Sequence, residues 1–181
     1  MMDASTLRQH LTRLDTELPE PVRLCIYGSA AFMLLGQEDR FSMDVDVAAP
    51  YSNANLRELE AAAQRIGFPV NPPEDYPGDH IEWVGPTRLC LAPPSPPNTV
   101  PLWQGARLTV FTLPSSDLIA SRLIRYDPID QGDIQFLMIH GRVSFQEVAQ
   151  AVDRLPAPFS QDVLVRENLE NLRRDAQRWS P

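Results

Sequence analysis

Two aspartates separated by a single residue have the clearest capacity for chemistry in this sequence. Asp44 and Asp46 lie in the segment 43–49, where apolar and polar residues alternate with the period of a β-strand. Their carboxylates are therefore predicted to project from one face of a strand, about 7 Å apart along the chain. Carboxylates placed in this way can share one or two Mg²⁺ ions, which also bind the oxygen atoms of a nucleoside triphosphate. The simpler alternative is a pair of solvent-facing residues on an edge strand.

A second feature lies upstream, where the apolar segment Val22–Tyr27 runs into Gly28 and Ser29. This segment predicts a buried strand, and the residues up to Leu35 predict a helix that begins at Ser29. The start of a helix exposes backbone N–H groups, so the Gly-Ser turn is a predicted phosphate-binding site. Glycine would let a phosphate approach the backbone, and the serine hydroxyl would add a hydrogen bond. The structural alternative, in which Gly28 ends the strand and Ser29 caps the helix, is compatible with this role.

The order of these features resembles a known superfamily. Gly28-Ser29, a short helix, Arg40-x-Ser42 and then Asp-hydrophobic-Asp are similar to the signature of nucleotidyltransferases with a polymerase-β-like fold. The Arg-x-Ser element resembles the arginine and threonine of bacterial minimal nucleotidyltransferases, including the AbiE type of toxin–antitoxin pairs. A second match covers residues 113–123 and 130–134, which are similar to a segment in a little-characterised branch of these proteins. The resemblance implies an α+β fold, with a nucleotidyltransferase-like mixed sheet packed on helices.

The resemblance also implies a role for each candidate residue. Asp44 and Asp46 are the expected metal ligands and, with Glu82, the expected catalytic carboxylates. Glu82 is the candidate third carboxylate because the segment 81–83 has the family's hydrophobic-acid-hydrophobic form, although an exposed strand residue is the simpler interpretation. Arg122 stands where the family has a lysine, and its guanidinium can neutralise phosphate through two N–H donors. The expected nucleotide-binding residues are Gly28, Ser29, Arg40, Ser42 and Arg122.

The implied reaction is Mg²⁺-dependent transfer of a nucleoside monophosphate from a nucleoside triphosphate to an unidentified hydroxyl acceptor, with release of pyrophosphate. The resemblance further implies a toxin–antitoxin or phage-defence context with a cognate toxin or antitoxin as partner. The alternative is a catalytically inactive protein of the same fold that binds nucleotide or a partner. The missing lysine and the weakly marked third carboxylate favour that alternative. A small-molecule nucleotidyltransferase would differ only in its acceptor, which the sequence does not specify.

Composition narrows the classes of partner. The 181 residues carry 24 acidic and 16 basic side chains, a net charge of −8, and every basic residue is arginine. An acidic chain lacks the long-range attraction that most nucleic-acid binders use, so a tRNA acceptor is not favoured. No apolar segment approaches the roughly 20 residues that span a bilayer, and we expect no membrane association. Cys25 and Cys90 make neither a disulfide framework nor a zinc site, so we expect reduced thiols in a cytoplasmic protein.

The remaining patterns predict the elements that position these residues. Residues 1–140 are expected to form the nucleotidyltransferase-like domain, and residues 141–181 a C-terminal helical extension of the same compact unit. Further strands are expected at residues 80–84, 88–91 and 107–113. Ten of the eighteen prolines lie between residues 69 and 101, and they favour loops with short or edge strands there.

Helix starts are predicted at three places in the second half of the chain. The expected caps are Ser115 or Ser116, then Asp127 followed by Pro128, and then Ser144 paired with Glu147. Asp130 and Asp133 are explained equally well as acids near a helix start and as site residues. Arg122 has the alternative of an ion pair with Asp117 or Asp133. The histidines are separated and without metal-ligand spacing, so no chemistry is assigned to them: His10, His80 and His140.

Overall fold

The computed structural model describes residues 1–37, 39–95 and 98–179. Within these ranges the chain forms seven α-helices and five β-strands. In chain order they are α1 (Ala4–Glu17), β1 (Val22–Tyr27), α2 (Gly28–Leu34), β2 (Asp44–Ala48), α3 (Leu56–Arg65), β3 (His80–Val84), β4 (Val100–Gln104), β5 (Leu108–Thr112), α4 (Ser115–Arg122), α5 (Pro128–His140), α6 (Phe145–Asp153) and α7 (Val163–Trp179).

The chain divides into two compact units. The first comprises Met1–Leu89 and Thr99–Thr112 and contains α1 to α3 with all five strands. The second comprises Cys90–Asn98 and Leu113–Pro181 and contains α4 to α7. The sequence-predicted extension, residues 141–181, lies within the second unit. No helix in the described part of the chain combines the length and the hydropathy of a membrane-crossing segment.

The first unit is built on a mixed sheet with the strand order β3-β2-β1-β5-β4. Strand β1 pairs antiparallel with β2 and parallel with β5, whereas β2 pairs parallel with β3 and β4 pairs antiparallel with β5. This architecture confirms the predicted α+β class with a mixed sheet and a helical C-terminal part.

One face of the sheet carries the core of the first unit. Ile26 on β1 is in register with Val47 on β2, and both side chains are buried with the leucines of α1. The leucine spacing on α1 gives a helix with one apolar stripe, and each leucine it buries contributes about 1.5–3 kcal/mol. Because successive side chains of a strand point to opposite faces, Asp44 and Asp46 lie on the face of β2 away from this core.

Two of the three predicted helix caps in the second unit are confirmed. The Asp127 side chain accepts hydrogen bonds from two backbone N–H groups at the start of α5, directly before Pro128. Ser144 and Glu147 form a reciprocal capping box at the start of α6. The predicted serine cap of α4 is wrong, because α4 begins after Pro114, which has no side-chain donor or acceptor to offer.

The proline-rich segment contains the other errors of the sequence prediction. The predicted strand at residues 88–91 is wrong, because residues 86–88 form a turn. The side chains of Leu89 and Leu91 are nevertheless buried. Strand β4 was not predicted, because Pro101 argues against a strand. Pro101 is nevertheless tolerated in this strand because β4 lies at the edge of the sheet. On the outer side of an edge strand, no neighbouring strand needs a hydrogen bond from the backbone nitrogen that proline lacks.

Candidate active site

The carboxylate of Asp46 lies directly against the turn between β1 and α2. Tyr27, the last residue of β1, is in register with Asp46 on β2. Gly28 follows with a φ of +67°, a conformation that L side chains rarely adopt, and it begins α2 one residue earlier than predicted. A Cβ atom built on Gly28 would lie 2.3 Å from Oδ2 of Asp46. Both the backbone conformation and the close approach therefore require glycine at this position.

The predicted Arg-x-Ser element connects the turn to the aspartates. Nη2 of Arg40 donates a 2.8 Å hydrogen bond to Oγ of Ser29. Two residues further on, the hydroxyl of Ser42 donates a 2.5 Å hydrogen bond to Oδ1 of Asp44. The structure thus brings together the turn, the guanidinium and both aspartates within the first unit.

Asp44 and Asp46 share one strand face and are both partly buried. Among the residues that the structure describes, no three His, Cys, Asp or Glu side chains are grouped as a ready-made metal site. The two aspartate carboxylates alone suit Mg²⁺. This ion is commonly bound through one or two carboxylates and takes its other ligands from water and substrate phosphates. Asp44 and Asp46 could hold such an ion.

Glu82 lies on the strand next to the two aspartates. It is in register with Asp46 across the parallel pair β2 and β3, so both side chains leave the sheet on the same face. Its carboxylate is 35% exposed and lies 3.6 Å from Nη2 of Arg88. The structure therefore places Glu82 beside the site, with its carboxylate paired to an arginine. Its catalytic role stays a prediction.

His80 is a neighbour that the sequence analysis missed. It is in register with Asp44, two residues before Glu82 on the same face of β3. Its Nδ1 lies 3.0 Å from the carbonyl oxygen of Gly78. Because a carbonyl only accepts, Nδ1 is the donor in this contact. The signal in the sequence was the two-residue spacing to Glu82, but the register that sets His80 opposite Asp44 depends on long-range pairing.

Arg122 belongs to the second unit. Its guanidinium lies 3.2 Å from Oδ1 of Asp130 and 3.4 Å from Oδ2 of Asp133, and both carboxylates are almost fully buried. Of the two predicted ion-pair alternatives for Arg122, the one with Asp133 is present, whereas Asp117 pairs with Arg154. A role for Arg122 toward the nucleotide stays a prediction.

A thiol also lies on the strand that leads to the turn, but it is unsuited to nucleophilic chemistry. Cys25 is fully buried, and burial raises the pKa of its thiol to about 12. Burial likewise raises the pKa of Cys90, in the second unit, to about 12. Since the thiolate is the reactive form, these raised pKa values keep both thiols in the less reactive protonated form at neutral pH.

Comparison with known proteins gives one family match. The model of a family described as "Nucleotidyltransferase of unknown function (DUF6036)" matches residues 5–175. The matched range includes every candidate site residue. No curated protein and no solved structure matches the chain significantly.

Proposed function

The chain belongs to this family of nucleotidyltransferases, and we propose that it transfers a nucleoside monophosphate from a nucleoside triphosphate to a hydroxyl acceptor, with Mg²⁺ as cofactor. The match confirms the superfamily that the motifs resembled, whereas the AbiE-type branch stays a prediction. The observation that carries the proposal is the contact between the Asp46 carboxylate and the Gly28 turn. Metal ligands and a phosphate-accepting turn must lie side by side for this reaction.

The charges of the site explain why a cation is needed. Asp44 and Asp46 bring two negative charges against the single positive charge of Arg40, so a triphosphate alone would be repelled. When bound, Mg²⁺ would neutralise the carboxylates and stabilise charge on the attacking and leaving oxygens. Nucleotide binding should therefore depend steeply on Mg²⁺.

The protein residues have separate tasks in this proposal. Ser29 and the backbone of the turn contact the phosphates, and Arg40, already bonded to the Ser29 hydroxyl, contributes positive charge beside them. Ser42 fixes the orientation of the Asp44 carboxylate through its short hydrogen bond. The acceptor oxygen attacks the α-phosphorus in line, and pyrophosphate leaves. Glu82 is the sequence-predicted proton acceptor.

The proposal is tested with a triphosphate labelled on its α-phosphate. The parent protein is expected to release pyrophosphate in the presence of Mg²⁺ and to transfer label to an added acceptor. The double variant Asp44→Asn, Asp46→Asn should lose this activity by at least about 100-fold, because the metal ligands are gone. A matched control, Glu58→Gln with Glu60→Gln, removes the same charge from α3 and should keep the activity. Equal activity in both double variants would contradict the proposal.

A catalytically inactive nucleotide-binding protein is the second candidate. Two observations favour it: no group of three potential ligands is present among the described residues, and the Glu82 carboxylate is paired with Arg88. Mg²⁺-dependent nucleotide binding by the parent, without pyrophosphate release, would establish this candidate.

The biological setting is proposed from the resemblance alone. A toxin–antitoxin or phage-defence context predicts a cognate protein partner that co-purifies with the chain. A tRNA acceptor is disfavoured by the net charge of −8, and a cytoplasmic location is expected from the cysteine content.

A further inference from the structure

A polar cavity of about 390 Å³ borders the strand that carries His80 and Glu82. It lies wholly within the first unit. The residues that line it include Asn71, Glu74, His80, Glu82, Trp83 and Arg88. His80 and Glu82 are the register partners of Asp44 and Asp46, and paired strands lie only about 4.8 Å apart. Two of the residues that line the cavity therefore lie on the strand that pairs with β2, opposite the two aspartates that are the candidate metal ligands.

A backbone hydrogen bond selects one tautomer of the neutral His80 ring. The Gly78 carbonyl accepts the hydrogen bond from Nδ1, so in the neutral imidazole the lone pair is on Nε2. The ring of Tyr76 packs edge-on against the imidazole, with centroids 6.1 Å apart, and this contact fixes the ring orientation. The ionisable groups near His80 include Tyr76, which packs on its ring, and Asp79, which precedes it in the chain. They also include Asp44 on β2, Glu82 on its own strand, and Glu74 and Arg88 in the cavity.

Glu82 is paired with an arginine. Its carboxylate lies 3.6 Å from Nη2 of Arg88. Histidine is the side chain most often used in general acid–base catalysis.

We infer that this cavity is the acceptor subsite and that Nε2 of His80 takes the proton of the acceptor hydroxyl. The inference rests on the proposed function and assigns to His80 the role that the sequence gave to Glu82. The acceptor O–H bond breaks and its proton moves to Nε2. The oxygen forms a bond to the α-phosphorus of the nucleoside triphosphate. The bond from the α-phosphorus to the bridging oxygen breaks, and pyrophosphate leaves with those electrons.

The lining of the cavity also indicates the class of acceptor. Two carboxylates, Glu74 and Glu82, face a single guanidinium, that of Arg88, so a phosphorylated acceptor would add to an existing excess of negative charge. The volume is within the range of small-molecule sites, about 300–1,000 Å³. The subsite therefore fits a small uncharged or cationic hydroxyl compound better than the end of a nucleic acid.

The test measures pyrophosphate release from Mg²⁺-triphosphate with glycerol as the acceptor probe, and with glycerol 1-phosphate as its charged counterpart. His80→Ala is compared with His140→Ala. His140 is a matched control because its Nδ1 also lies 3.0 Å from a backbone carbonyl, that of Phe136, but it is exposed at the end of α5. Triphosphate affinity and melting temperature are measured for each variant, so that lost binding or lost folding is distinguished from lost turnover.

We expect His80→Ala to lose about 100-fold or more in turnover while its triphosphate Kd changes by less than about threefold. Added imidazole should restore at least about tenfold of that loss, which a purely structural role would not allow. His140→Ala should behave like the parent protein, and glycerol should be a better acceptor than glycerol 1-phosphate.

Several results would overturn the inference. His80→Ala could keep its turnover, or imidazole could fail to restore it, in which case His80 is not the base. A preference for glycerol 1-phosphate would overturn the assignment of acceptor class. Triphosphate binding by the parent without release into glycerol would overturn the acceptor subsite and leave nucleotide binding intact. Absence of Mg²⁺-dependent triphosphate binding would instead refute the proposed function itself.

Discussion

Replacing Gly28 with alanine places a methyl group where the carboxylate of Asp46 lies. The added Cβ would be 2.3 Å from Oδ2 of Asp46, whereas non-bonded atoms settle at about 3.5 Å or more. Either the turn or the carboxylate must then move by about 1 Å. Since both belong to the candidate site, the substitution tests whether their contact is functional.

The substitution is expected to have two effects: a loss of stability from backbone strain, and a loss of function from the displaced carboxylate or turn. An alanine at a φ of +67° costs about 1–2 kcal/mol, which lowers the melting temperature by about 2–8 °C in a chain of this size. A displacement of about 1 Å at a reacting centre can reduce turnover by about 100-fold. We expect at least a tenfold loss of Mg²⁺-dependent triphosphate affinity, equivalent to about 1.4 kcal/mol.

Gly67→Ala supplies the matched control. Gly67 follows α3 with a φ of +71°, and a Cβ built there would meet nothing within 4 Å. Both variants should therefore lose a similar amount of stability, measured by thermal unfolding. Only Gly28→Ala should lose triphosphate affinity, measured by titration calorimetry with Mg²⁺ present.

Two results would refute this reasoning. Parental triphosphate affinity in Gly28→Ala would show that the Asp46 contact does not position a functional carboxylate. An equal loss of affinity in Gly67→Ala would show that general destabilisation is the cause.

Three further outcomes are expected elsewhere in the chain. Asp15 accepts hydrogen bonds from the backbone N–H groups of residues 106–108. Burial raises the pKa of Asp15, but these hydrogen bonds and the guanidinium of Arg107 outweigh burial and hold the pKa below its usual value. Asp15→Asn should therefore destabilise the protein by about 2–3 kcal/mol at neutral pH, and urea titrations should show this difference shrinking as the pH falls below about 4. Arg122→Ala removes the arginine that lies beside two buried carboxylates, so it should lower the free energy of unfolding by about 3–5 kcal/mol and the Tm by at least about 6 °C. As a control, Arg173→Ala removes an exposed ion pair and should change stability by less than about 1 kcal/mol. Cys25 should resist alkylation at pH 8 until urea unfolds the chain, and rapid labelling of the native protein would contradict its burial.

Local patterns were sufficient for most of the elements that hold the site. The apolar segment before Gly28 has the composition of a strand, and the alternation around Asp44 and Asp46 fixes which face their carboxylates share. The Asp127 and Ser144 caps were predictable because each involves hydrogen bonds to residues two or three positions along the chain.

Long-range pairing accounts for what the sequence did not predict. The alternation in residues 80–84 predicts a strand, but only the sheet shows that His80 lies opposite Asp44 and Glu82 opposite Asp46. Likewise, Pro101 argues against a strand until its place at the sheet edge is known. The pairing of Glu82 with Arg88 depends on the turn at 86–88, whose geometry no periodicity encodes.

The most direct measurement of the central claim is the affinity of the full chain for a triphosphate with a non-cleavable α–β bridge, titrated with and without Mg²⁺. If Asp44 and Asp46 jointly hold the cation that accepts the phosphates, Mg²⁺ should tighten binding by at least about tenfold in the parent and should have no effect when both residues are asparagine. Equal affinity of the two proteins in Mg²⁺ would contradict the claim.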